Sequence, residues 1–120
     1  MQPFSVFSLG RILLVSIEED IDDRDIRTLE DLISTRVAHG RGRGVIIDVQ
    51  HLEVMDSYLA DHLHGLARRL RLQDSRVVIA GLSVPVVMTL LDFGITLEEL
   101  EFALDVEQAL VRLQTLHRSP

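Results

Sequence analysis

Residues 45–58 read VIIDVQHLEVMDSY and place an apolar strand, a turn and a helix start in direct succession. The strand, residues 45–49, consists almost entirely of Val and Ile, which favour strands. A long amphipathic helix is predicted over residues 59 to about 72, because leucines recur there at helical spacing. Ser57 therefore lies at the opening of a helix, beside unpaired N–H groups and the positive end of the helix dipole. Such a position suits a cap and also holds a phosphate well, so the serine is a candidate switch.

The rest of the chain alternates strands and helices around this unit. Residues 77–80, like 45–49, form a short apolar run without alternation, as expected of parallel strands covered by helices. The two runs and the helix between them make a strand–helix–strand unit with a right-handed crossover. The pattern predicts an α/β fold with a mixed sheet of four or five strands and about four helices. The predicted strands are 4–9, 12–17, 45–49, 77–80 and 101–104, and the first two helices are about 24–38 and 59–72. A short third helix is capped by Ser83 and ends at Gly94, and a final helix is capped by Asp105.

Composition limits the classes of function. At 120 residues we expect one domain, residues 1–120. The net charge of −7 argues against nucleic-acid binding, and no apolar run approaches the ~20 residues needed to span a bilayer. Cysteine is absent, which removes disulfides and thiolate metal sites and fits a cytoplasmic protein. We therefore expect no nucleic-acid partner, no membrane association and no cofactor.

The sequence disfavours two kinds of chemical site. A serine hydrolase would need Ser57, a base such as His51 or His62 and a carboxylate, but residues 55–59 lack the glycines of a nucleophile elbow. A chelating histidine pair on a helix lies four residues apart, whereas His62 and His64 are two apart. The sequence therefore predicts no catalytic residue and no metal ligand.

Three motifs together resemble the STAS domain, the fold of bacterial anti-sigma-factor antagonists. They are the strand at 45–49, the segment Val54-Met55-Asp56-Ser57, and residues 77–81 followed by 86–95. The resemblance covers nearly the whole chain and implies a single STAS domain over residues 1–120. Within the family, residues 91–97 and 103–110 are similar to the short stressosome subunits, which carry no sensory module.

The resemblance implies a function and a set of partners. A small serine kinase phosphorylates the hydroxyl that opens this helix in family members, so Ser57 is the expected phosphorylation site and Thr89 a second candidate. The chain would be a non-enzymatic scaffold that holds an RsbT-type serine kinase and releases it on phosphorylation. Other expected partners are RsbR-type STAS paralogues, within a large homo- and hetero-oligomer. Family members also act as free anti-sigma-factor antagonists or as accessory subunits of transporters, and these alternatives remain open at this stage.

The residues around Ser57 carry further expectations. Asp56, Tyr58 and Asp61 are the predicted kinase interface, and Asp56 either caps the helix or aligns the serine hydroxyl. Asp48, Asp56 and Asp61 are expected to make the surrounding surface acidic, so that an added phosphate is not neutralised locally. Thr89 lies in a helical stripe, so the default expectation is a buried hydroxyl bonded to its own helix.

Overall fold

The protein contains a mixed five-stranded sheet with helices on both faces. The computed structural model describes residues 2–40, 42–95 and 100–117. The strand order is β1-β2-β3-β4-β5, with β1 antiparallel to β2 and the other neighbours parallel. The predicted α/β class and mixed sheet are confirmed. The elements are β1 Phe4–Leu9, β2 Ile12–Ile17, α1 Asp23–Ala38, β3 Gly44–Asp48, α2 Ser57–Leu72, β4 Arg76–Ala80, α3 Val84–Asp92, β5 Glu101–Ala103 and α4 Val106–His117.

The sheet separates two apolar layers. On one face, side chains such as Leu13, Ile47 and Ile79 pack against Ile33 of α1 and Leu66 of α2, and Val86 and Leu90 of α3 join the same layer. The opposite face packs against α4 through a smaller cluster, Ile12, Ile46, Val78, Ala80, Ala103, Ala109 and Leu113. Strands β3 and β4 are therefore buried on both faces, which explains why their sequences are continuously apolar.

The carboxyl end of β3 is held by a buried polar contact. Asp48, only 5% exposed, accepts hydrogen bonds from the backbone N–H of Gln50 at 3.1 Å and from its side-chain amide at 2.9 Å. Gly81, which follows β4, lies directly beside this pair with a φ of 81°. The expectation that Asp48 contributes to the acidic surface is wrong, because the carboxylate serves to fix the turn that follows the strand.

Gly81→Ala is expected to lower the free energy of unfolding by about 2 kcal/mol or more. A Cβ at Gly81 would lie 2.8 Å from the Cβ of Gln50 and 3.1 Å from its Cα, and the left-handed backbone there disfavours any L side chain. Gly65→Ala in α2 is the matched control, because a Cβ there would make only an ordinary contact with Arg69 Nη1, at 3.7 Å, and helix propensity favours alanine by up to about 1 kcal/mol. Urea unfolding of both variants tests this, and equal stability of the two would contradict it.

Candidate functional site

The loop between β3 and α2 presents the candidate switch residue from a fixed position. Leu52 and Met55 are buried and anchor the loop to the core, whereas Val54 between them is 77% exposed. The backbone N–H of Val49 donates to the carbonyl of Ala80 at 2.9 Å and ties the loop to β4. Because Leu52 and Met55 are buried in the core, the end of the loop and the start of α2 have a defined position.

Asp56 is the N-cap of α2. Its carboxylate accepts a hydrogen bond from the backbone N–H of Leu59 at 2.8 Å, which satisfies one of the orphan donors of the first turn. The capping role predicted for Asp56 is thereby confirmed. The helix begins at Ser57, two residues earlier than predicted, so the serine is the first helical residue and Asp56 is the cap. Ser57 is exposed.

A surface depression of about 460 Å³ lies beside Ser57. It brings two of the predicted interface residues, Tyr58 and Asp61, together with Ser57, and adds Phe93 and Ile95 from the end of α3. The third predicted interface residue, Asp56, immediately precedes Ser57 and is exposed. The depression therefore combines a free hydroxyl with apolar walls.

The turn that ends α3 sets the position of the two apolar walls. Gly94 adopts a φ of 76°. Its N–H donates to the carbonyl oxygen of Leu91 at 3.0 Å, and the N–H of Ile95 donates to the carbonyl oxygen of Leu90 at 3.1 Å. This Schellman pattern reverses the chain, burying Ile95 and leaving Phe93 44% exposed. Sequence reasoning predicted the helix stop at Gly94 but not the role of Phe93 and Ile95 in the site, since their distance from Ser57 depends on tertiary packing.

A polar cluster between α1 and α2 supports Tyr58. The ring of Tyr58 stacks on that of His62, with centroids 4.1 Å apart. His62 Nδ1 lies 2.5 Å from one carboxylate oxygen of Glu30, and Arg69 Nη2 lies 2.6 Å from the other. Both oxygens of the buried Glu30 carboxylate therefore have a partner, and Arg69 supplies the opposite charge. Two successive contacts thus connect a buried carboxylate to the wall of the depression.

The surface around Ser57 carries acidic groups. Asp56 and Asp61 are exposed, and none of the described residues that line the depression is basic. A charge added at Ser57 would therefore find helix amides nearby but no cation among those lining residues. Two of the three carboxylates expected near the serine, those of Asp56 and Asp61, are exposed, whereas that of Asp48 is buried.

Thr89 lies outside the depression. Its hydroxyl donates to the carbonyl of Pro85, one turn earlier in α3, at 3.0 Å, which confirms the expected bond to its own helix. The side chain is half-buried and not fully buried, so that part of the expectation is wrong. The hydroxyl is engaged with its own backbone, in contrast to the exposed position of Ser57.

No histidine is among the described residues that line the depression, and His62 is directed at Glu30. This arrangement does not assemble the base that a serine hydrolase would need beside Ser57.

Within residues 2–40, 42–95 and 100–117, no group of three or more His, Cys, Asp or Glu residues is placed to hold a metal ion. In the same part of the chain, no helix has the length and apolar character to cross a membrane.

Comparisons with known proteins agree on one family. A family model described as the STAS domain matches residues 5–109. The curated "RsbT co-antagonist protein RsbRA" from Bacillus subtilis (strain 168) is 29% identical over 77 residues, or 64% of this chain and 28% of that protein. The chain thus spans little more than a quarter of that relative's length. Of the motifs that suggested the resemblance, Thr96 and Leu97 lie outside the described residues.

Two solved structures are similar along nearly the full length of both chains. RsbS from Moorella thermoacetica, in a variant with one serine replaced by glutamate, gives a TM-score of 0.87 at 25% identity, covering 96% of this chain and 97% of that chain. A chain of the stressosome, described as a signal integration and transduction hub, gives a TM-score of 0.84 at 26% identity, covering 96% and 100%.

Proposed function

The chain belongs to the STAS domain family, and from this premise we propose that it is a non-enzymatic phospho-switch and scaffold, a core subunit of a stressosome. It holds a serine kinase of the RsbT type and releases it when Ser57 is phosphorylated. The observation that carries the proposal is the position of Ser57, exposed at the first residue of α2 and on the rim of a depression with apolar walls. The likeness to RsbS and to a stressosome chain supports the same role.

The geometry of Ser57 suits a kinase substrate. The loop that precedes it is anchored by buried Leu52 and Met55, so the hydroxyl is offered at a defined place. Asp56 occupies the cap, so the serine hydroxyl is not needed to start the helix. A kinase can therefore approach and modify Ser57 without unfolding the first turn of α2.

Phosphorylation of Ser57 would affect the binding of a partner at this surface more than it affects the stability of α2. A phosphate brings a charge of about −1.5 to −2. The helix dipole stabilises such a charge by about 0.3–1 kcal/mol at an exposed site. A partner that has docked around a neutral hydroxyl and the nearby carboxylates of Asp56 and Asp61 would meet like charge, which costs several kcal/mol. The balance favours release of the partner.

The scaffold part of the proposal rests on the relatives. RsbRA is described as an RsbT co-antagonist, and the stressosome structure contains a chain of this fold. We infer that RsbR-type STAS paralogues assemble with this chain in a large cytoplasmic complex. Size measurement separates this role from that of a free anti-sigma-factor antagonist or a transporter subunit, since only the stressosome role requires a megadalton particle with an RsbR-type partner.

Phosphosite mapping tests the switch directly. After incubation with ATP and an RsbT-type kinase, the chain is expected to gain one phosphate, and Ser57→Ala is expected to gain none there. Because the chain has no lysine, trypsin releases Ser57 in the peptide 44–68, where it is the sole serine or threonine, and Thr89 in the peptide 77–112. Thr89→Ala, the control, should keep the phosphate on 44–68. A phosphate on 77–112 with 44–68 unmodified would overturn the proposal.

A further inference from the structure

One side of α2 links the depression at Ser57 to a carboxylate buried between α1 and α2. His62 follows Tyr58 by four residues and Arg69 follows His62 by seven, so the three side chains lie along the same side of the helix. Tyr58 lines the depression, whereas His62 and Arg69 contact Glu30 of α1, which is only 8% exposed. A wall of the depression is thus connected to a group that lies out of reach of a docked protein.

The packing of α1 on the core does not require a charge at Glu30. The other residues that α1 buries are all apolar, namely Ile26, Leu29, Ile33 and Val37. Removing a carboxylate from water carries a large desolvation cost, and replacing a buried ion pair by well-packed apolar side chains is often neutral or stabilising. The feature that distinguishes Glu30 from a leucine at this position is the pair of contacts that its carboxylate makes with His62 and Arg69.

These contacts fix the imidazole ring of His62. Its Nδ1 lies 2.5 Å from one carboxylate oxygen of Glu30, while Arg69 Nη2 donates to the other oxygen at 2.6 Å and holds the carboxylate in place. An imidazole bound through one nitrogen in this way keeps its orientation, although His62 itself is only half-buried. The ring of Tyr58 stacks on it at an interplanar angle of 24°. The orientation of Tyr58 therefore depends on a bond that its own side chain does not make.

We propose that Glu30 is a positioning residue for kinase binding, and that it acts through His62 to hold the ring of Tyr58 as a wall of the depression. This role rests on the proposed function, because the depression is the surface assigned there to the kinase. A partner that docks on a ring already held in one orientation loses less conformational entropy than a partner that must immobilise the ring. Glu30 thus raises the affinity for the kinase without touching it.

The ring of Tyr58 can be observed separately from the rest of the protein. The chain has one tyrosine and no tryptophan, so tyrosine fluorescence and the ¹⁹F resonance of incorporated 3-fluorotyrosine report on this ring alone. Glu30→Leu removes both contacts of the carboxylate and places an apolar side chain in the apolar stripe of α1. The ¹⁹F resonance is expected to move from its wild-type position toward that of His62→Leu. Asp31→Leu replaces the neighbouring, exposed carboxylate of α1 and is the matched control, which should keep the wild-type resonance.

Affinity for the kinase tests the role itself. In calorimetric titrations with an RsbT-type kinase, Glu30→Leu is expected to raise Kd by about threefold or more, and Tyr58→Ala by about tenfold or more. Because Glu30 acts through Tyr58, Glu30→Leu should cause no further rise in a chain that already carries Tyr58→Ala. A general loss of structure would instead raise Kd by the same factor in both chains. Asp31→Leu should bind like the wild type.

Urea unfolding establishes that each variant is folded, and Glu30→Met, whose unbranched side chain is closer in shape to glutamate, replaces Glu30→Leu if the leucine variant is not. A wild-type chain that does not bind the kinase overturns the proposed function and, with it, the role of Glu30. If the wild-type chain binds, the role of Glu30 alone is overturned by an unchanged Kd or by equal effects with and without Tyr58. An unchanged ¹⁹F resonance also overturns it, because Glu30 then does not control the ring.

Discussion

Ser57→Asp is expected to weaken binding of an RsbT-type kinase by at least about fivefold, whereas Ser57→Ala should leave the affinity within about threefold. The serine is exposed and makes no contribution to the cap of α2, which Asp56 supplies, so neither substitution disturbs the fold. Alanine keeps the site neutral. Aspartate adds negative charge beside the exposed carboxylates of Asp56 and Asp61.

The size of this effect follows from the desolvation of the docked site. An unpaired or like-charged group enclosed in an interface costs about 2–5 kcal/mol, and each 1.4 kcal/mol is a factor of ten in affinity. The amides at the start of α2 recover about 0.3–1 kcal/mol at most for an exposed anion. The net cost therefore stays well above the error of an affinity measurement.

Calorimetric titration of the purified kinase with each variant measures the difference. Thr28→Asp on α1 is the matched control, because it also replaces an exposed hydroxyl by a carboxylate, and it should bind like the wild type. If Ser57→Asp and Ser57→Ala bind the kinase equally well, charge at this position does not control release and the proposed switch is wrong.

Phe93→Asp is expected to lower kinase affinity by at least about tenfold. Phe93 forms a wall of the depression beside Ser57, and its ring is 44% exposed in the isolated chain. Aromatic side chains at the centre of an interface commonly contribute 2 kcal/mol or more to binding. The substitution removes that apolar surface and adds a further carboxylate to an acidic surface. Phe93→Ala removes the ring without adding a charge, so it should cause a smaller loss of kinase affinity than Phe93→Asp.

The same calorimetric titration measures this effect. Leu104→Asp is the control, since Leu104 is another exposed apolar side chain but lies between β5 and α4. It should bind the kinase with wild-type affinity. If Phe93→Asp and Leu104→Asp have equal effects, the apolar depression is not part of the kinase-binding surface.

Local patterns were sufficient to predict the elements of this fold. The helical spacing of leucines gave α2 to within two residues, and the apolar runs gave β3 and β4 to within one residue. The cap residues Ser83 and Asp105 were also predicted correctly. The side chain of Ser83 accepts a hydrogen bond from the N–H of Val86, and that of Asp105 accepts one from the N–H of Gln108. These features depend on residues three or four positions apart, so the sequence itself contains the relevant interaction.

The sequence by itself determined the α/β class, the helix starts to within two residues and the serine that opens α2. Only the tertiary structure decided that Phe93 and Ile95 lie beside that serine and that Asp48 is buried. These facts depend on strand order and on packing between residues far apart in the chain. Local periodicity specifies which face of an element is apolar, but the neighbour that covers that face is chosen by long-range contacts.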